Sequence, residues 1–190
     1  MDQFASERLL TQIMRAVEAN AQRFETQVVH SRSLGASETA RPEAVRLRVL
    51  RDAQDIARML AAPVERALPG AARRFAPGAR RISHVRSSVL MLQPGTRMRI
   101  DLASEPAHVN DVLLVATLGM ARGAAPALHV LRGPLRLAGV DPRRGQLMIP
   151  LDDGRAVVLP ALRPAEIVAP DGAGARPLLA VVVLARLSGK

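Results

Sequence analysis

Apolar residues at Leu10, Met14, Val17, Ala21, Phe24 and Val28 recur at alternating intervals of four and three. That spacing lines one face of a helix. Glu7, Arg8, Arg15, Glu18, Arg23 and Glu25 fall between them as a solvated face, so the pattern predicts a helix over 3–31. Its stripe is shorter than three heptads. It serves either as the inner face of a local helical hairpin or as a docking and oligomerisation face, with Leu10, Met14, Val17, Phe24 and Val28 as the contact residues. A polar loop follows over 31–40, around Gly35. Pro42 then suits the first turn of a second helix, where its missing N–H is not needed. Val49, Ala53, Ile56, Leu60 and Val64 form the stripe of that helix; Pro63 kinks it and Leu68-Pro69-Gly70 ends it. Two amphipathic helices on a short loop predict an antiparallel hairpin.

From Ile82 the pattern changes to short apolar runs punctuated by Gly, Pro and Asp. Strands are predicted over 82–92, 97–102, 111–118, 127–132, 135–140, 146–151, 155–159, 166–168 and 178–187. The first two read as a hairpin turning at Pro94-Gly95. Met98, Ile100 and Leu102 then face one way, and Arg97, Arg99 and Asp101 the other. Asp152-Asp153-Gly154 reads as a second hairpin turn. The expected fold is α+β: a helical hairpin or arm over 1–70, an arginine-rich linker over 71–81, and a β-rich domain over 82–190. About 7–8 short strands would make that domain a small barrel or sandwich.

Composition sharpens this picture by what it removes. The chain has no Cys, Trp or Tyr, and its three phenylalanines, Phe4, Phe24 and Phe75, precede the β-rich part. Disulfides and thiolate chemistry are therefore excluded, and the β domain must be filled with Val, Leu, Ile, Met and Ala. The longest apolar run, 178–185, is far below the ~20 residues of a membrane span, and no signal peptide opens the sequence. A cytoplasmic protein, or part of a particle assembled there, is expected. The net charge is +10, and its source is local: residues 71–100 hold seven arginines and no acid. Arg73, Arg74, Arg80, Arg81, Arg86, Arg97 and Arg99 are thus the candidate contacts for an acidic protein partner or for phosphates.

Catalytic chemistry is hard to find in the sequence alone. His30, His84, His108 and His129 are scattered, with no HxH or HExxH spacing; His108 and Asp111 could meet His129 across strands. Asn110-Asp111-Val112-Leu113-Leu114-Val115 resembles the Gly-Asp-Val strand of the signal-peptidase-like family. That family's Ser-Met is missing, and Lys190 is the only lysine, so its enzyme chemistry is excluded. Arg80, Arg81 and Arg86 resemble the arginines of the PilZ family of cyclic-di-GMP-binding barrels, without that family's RxxxR spacing or its Asp/Asn-x-Ser-x-x-Gly element. No phosphate-binding glycine loop is present. The expectation is a non-enzymatic structural or adaptor subunit with no catalytic residues, cofactor or metal. It would dock on protein partners, or on itself, through the helical arm and arginine segment. The alternative is a sequence-nonspecific phosphate-backbone binder, although the β domain lacks aromatic residues on which bases could stack.

Overall fold

The computed structural model describes residues 5–31, 34, 39, 41–51, 54–75, 81–100, 111–118, 126–131, 146–151, 155–172 and 175–188. Helix α1 spans Glu7–Ala19. Ser6 caps it by accepting the Leu9 N–H at 3.4 Å, and Glu7 lies in its first turn, where an acid suits the helix dipole. It stops at Asn20, whose N–H returns to the carbonyls of Ala16 and Val17. After a 3-10 turn over Ala21–Arg23 the chain enters strand β1 (Glu25–Ser31), and β2 (Glu43–Arg51) pairs with it antiparallel.

The predicted helical hairpin is therefore corrected. Thr26, Val28 and Val29 are β-branched and favour the strand. Val45, Leu47 and Val49 alternate with Ala44, Arg46 and Arg48, which is strand periodicity. Pro42 precedes a strand, not a helix. Helix α2 (Gln54–Phe75) is the second helix, and it runs through Pro63 and Pro69 to include Arg73 and Arg74.

The remaining strands are β3 (Arg81–Leu92), β4 (Arg97–Ile100), β5 (Asp111–Thr117), β6 (Ala127–Leu131), β7 (Gln146–Pro150), β8 (Ala156–Pro160), β9 (Ala165–Val168) and β10 (Leu178–Ser188). They form two sheets, β1-β2-β3-β10-β5-β8 and β4-β9-β6-β7. From β3 onward the chain passes repeatedly between the sheets, and only β6 and β7 are consecutive neighbours. This is a double-sheet jelly roll, in place of the helical hairpin and small barrel or sandwich that the sequence predicts. Both expected hairpins dissolve in it: Pro94-Gly95 hands the chain from one sheet to the other, and so does the connection from β7 to β8. Residues 152–154, and the strand expected over 135–140, lie outside the described residues.

Gly95 makes the first crossing possible. Its φ is 73°, its N–H donates to Pro170 O, and a Cβ there would meet the Asp171 carboxylate at 3.3 Å.

Each face of the large sheet has its own core. On one side Ile13 and Val17 of α1 and Ile56, Leu60 and Val64 of α2 pack on Val112, Leu114, Val181, Val183 and Leu187. On the other, Leu90, Leu92, Leu113, Val115 and Ala180 meet Met98, Leu128, Val130, Ala165 and Ile167 of the small sheet. Leu10, Met14, Val17 and Phe24 are thus part of the helix-side core, whereas Val28 on the edge strand is exposed. Among the described residues no helix is long and apolar enough to cross a membrane.

Candidate active site between the sheets

Four polar or charged side chains are buried among the described residues: Asn20, Asp111, Thr117 and Glu166. Burying a carboxylate is costly unless a cation or strong donors face it, and the two acids solve this on different faces.

Asp111 opens β5. It alternates with Leu113 and Val115, so it shares their face, toward the space between the sheets. Arg186, opposite it on β10, donates from Nε to Oδ1 at 2.8 Å and from Nη2 to Oδ2 at 3.1 Å. The Asp111 side chain is fully buried, while Arg186 is 41% exposed. The pair lies where β4, β6 and β8 end and β5, β7 and β9 begin. The long connections 101–110 and 132–145 join strands at this same end. Long connections gathered at one end of a rigid sheet framework are where binding residues concentrate. The Ala161 N–H donates to Asp111 O and fixes the β8–β9 connection there.

Deeper in, the walls are apolar. Met98 and Ile100 of β4 lie in register with Ile167 and Ala165 of β9, and Leu128 and Val130 of β6 continue the same rows. Thr117 shares the Asp111 face of β5 and satisfies its hydroxyl by donating to Leu151 O at 3.2 Å.

Glu166 is on the reverse face of the small sheet. It accepts from Arg97 Nη2 at 2.8 Å and Nε at 3.3 Å, and from the Leu34 N–H at 3.1 Å. It therefore ties the β1–β2 connection to this face. Arg99 and His129 are in register with Glu166 and share that face; Arg99 is half-buried, and the His129 Nδ1 is buried with no hydrogen-bond partner among the described residues. Asp111 and His129, which the sequence suggested might meet, are on different sheets, and His129 faces away from the inter-sheet space. His108 lies outside the described residues.

The candidate arginines that are described lie on three different elements. Arg97 is committed to Glu166. Arg99 is beside it on the small sheet, Arg73 and Arg74 are on α2, and Arg81 and Arg86 are on β3, with Arg74 and Arg81 exposed. Arg80 lies outside the described residues. The sequence does not single out Arg186 or Glu166, and it offers Asp111 as a partner for histidine and as part of the strand that resembles the signal-peptidase-like family. The available signal was a lone charge at the start of, or inside, an apolar run (Asp111 before Val112–Ala116, Arg186 in Val181–Leu187), because such a charge must be paired when its strand is buried.

Neither a family profile nor a curated protein matches the sequence. Solved structures do match its fold. The non-heme alpha ketoglutarate dependent epimerase SnoN from nogalamycin biosynthesis superposes with a TM-score of 0.67 at 12% identity, over 97% of this chain and 76% of that one. EvdO2 from Micromonospora carbonacea var. aurantiaca, solved with 2-oxoglutarate, gives 0.59 at 17% identity, over 98% and 84%. An oxidoreductase of the 2OG-Fe(II) oxygenase family from Burkholderia pseudomallei gives 0.56 at 14% identity, over 93% and 79%.

The fold is thus the jelly roll of 2-oxoglutarate-dependent non-heme iron enzymes. This corrects the expectation of a non-enzymatic adaptor subunit and its alternative of a phosphate-backbone binder, since the matched structures include an epimerase and an oxidoreductase. At these identities the likeness is one of fold.

Non-heme Fe(II) oxygenases hold iron with two histidines and one carboxylate. The described residues do not fit that donor set. No group of three His, Cys, Asp or Glu among them could hold a metal ion. The inward rows of the small sheet are apolar, and the buried carboxylate facing the inter-sheet space, Asp111, is already neutralised by Arg186.

Proposed function

We propose that this chain is an enzyme acting on a small organic acid, bound between the sheets at the end where Asp111 meets Arg186. The observation that carries this reading is the buried Asp111–Arg186 pair, a charged group set into otherwise apolar walls. A concave apolar site with a few converging polar groups is the usual form of a small-molecule site. Arg186 brings a half-exposed guanidinium to this end; its Nε and Nη2 hold Asp111, so an incoming acid would share the guanidinium with that carboxylate or displace it. The comparisons support the ligand class, since related folds are titled as dependent on alpha ketoglutarate or solved with 2-oxoglutarate.

The test is thermal unfolding of the full chain with 2-oxoglutarate or succinate. A ligand at a hundred times its Kd adds about 2.7 kcal/mol. For a chain of this length that raises Tm by roughly 5–10 °C. Arg186→Lys keeps the charge, removes the fork and should lose most of the shift. No shift with either acid, or an undiminished shift in Arg186→Lys, would overturn the reading.

A further inference from the structure

We infer that this chain carries the jelly roll of the iron- and 2-oxoglutarate-dependent enzymes without their metal centre, and holds its ligand with its own polar groups alone. The inference deepens the functional reading above and rests on it for the ligand, but not for the metal.

The case starts from the number of donors. The sequence has four histidines, and an iron triad of this kind needs two of them on the inter-sheet face. His30 is exposed on β1, the edge strand of the large sheet. His129 is on the reverse face of the small sheet, in the row of Glu166. A two-histidine set would therefore require both His84 and His108.

The wall offers no help. Met98, Ile100, Leu128, Val130, Ala165 and Ile167 occupy successive inward positions on three adjacent strands, and none of them is a histidine or a carboxylate. Histidine ligands also need hydrogen-bond partners of their own behind them, which an apolar wall does not provide. The remaining obstacle is electrostatic. A divalent ion on Asp111 would sit against the Arg186 guanidinium, so the ion pair would have to break before the carboxylate could ligate.

The experiment uses tag-free full-length protein under anaerobic conditions. It is titrated calorimetrically with Fe(II) and separately with Co(II), with and without 2-oxoglutarate, and metal content is measured after desalting. The expected result is no saturable heat and substoichiometric metal in both states. One tightly held ion per chain, released by His84→Ala or His108→Ala, would overturn the inference. A positive control replaces inward wall residues by ligands: Met98→His, Ile100→Asp and Ala165→His together, positions that lie on one face of β4 and opposite it on β9. If this variant keeps its far-UV circular dichroism, it should acquire the visible absorption of bound Co(II). If it unfolds, the wild-type titration decides alone. Absence of metal together with a 2-oxoglutarate thermal shift upholds both readings. Absence of metal with no thermal shift removes the proposed ligand and leaves the present inference intact. Metal binding with a thermal shift does the reverse.

Discussion

Removing Arg97 should damage the fold more than removing Glu166, its partner. The reason is the asymmetry in their burial: the Glu166 side chain is fully buried, and Arg97 is 45% exposed. In Arg97→Ala the carboxylate keeps the Leu34 N–H and loses the Arg97 guanidinium. Stranding a buried charge in this way costs about 3–5 kcal/mol. In Glu166→Ala the guanidinium can turn to water, and the main loss is the hydrogen bond from the Leu34 N–H to the carboxylate, about 1–3 kcal/mol. The attraction between the two groups is itself weakened by the solvent around Arg97, which is why it does not dominate either figure. Once Glu166 is absent, Arg97 is an ordinary surface residue, so the double variant should be about as stable as Glu166→Ala alone. The implied coupling equals the whole Arg97→Ala cost, about 3–5 kcal/mol, at or above the upper end of the usual range for contacting residues. Urea unfolding at neutral pH, followed by far-UV circular dichroism, measures all three variants, and an unchanged m-value keeps the comparison on stability. Equal costs for the two single variants, or strictly additive costs in the double, would refute the reasoning. Either result would mean that the carboxylate is hydrated or held mainly by other donors.

Other parts of the structure lead to simpler tests. Gly95→Ala forces a side chain into positive φ against Asp171 and should cost about 1 kcal/mol or more, read as a lowered urea midpoint. Leu114→Ala empties a fully buried position beneath the helices and should cost about 2–5 kcal/mol by the same assay. Val28→Lys on the exposed edge strand should leave unfolding unchanged, whereas Val17→Lys in the helix-side core should unfold much of the population. Slight burial works to raise the Asp55 pKa, but the Asn20 amide donating to Oδ2 at 2.9 Å outweighs it, helped by the Ile56 and Asp55 N–H groups and the Arg23 charge. The net shift is downward, so its contribution is present above the ordinary aspartate pKa and fades as pH falls through the lower folded value. Asp55→Asn should therefore lower stability modestly at neutral pH, flatten the acid limb of a stability–pH curve below about pH 4, and converge with the unsubstituted protein in acid.

The strands were easier to read than the way they assemble. The predicted runs at 82–92, 111–118, 127–132, 146–151 and 178–187 all fall on strands, because short Val- and Leu-rich runs between turn residues leave little else for them to be. Alternation along a strand shows which residues share a face, but not which sheet that face belongs to. Pro94-Gly95 looks the same whether the next strand pairs with the last or crosses to the opposite sheet. What decides is the pairing of β3 with β10 and of β4 with β9, contacts between residues far apart in sequence. The helical error at the N-terminus was local. A stripe with spacings of three and four was extended past Asn20 into β-branched residues, and the alternation over Val45–Val49 was overlooked because Pro42 had been given a helical role.

The candidate site was concealed for a related reason. Metal and nucleophile motifs are recognised by their spacing in sequence, but Asp111 and Arg186 meet only because β5 and β10 are neighbours in the large sheet. Each looks unremarkable alone, as one charge at the margin of an apolar strand. Paired, they place a carboxylate and a guanidinium at the end of the jelly roll where β4, β6 and β8 end. The same strand placement accounts for the donor-poor wall among the described residues. The positions where β4, β6 and β9 face inward carry Met, Ile, Leu, Val and Ala, residues that fill the space between the sheets and include neither histidine nor carboxylate. A jelly roll lined this way holds its two sheets together through apolar packing, and the charged pair proposed as the ligand site sits at its end.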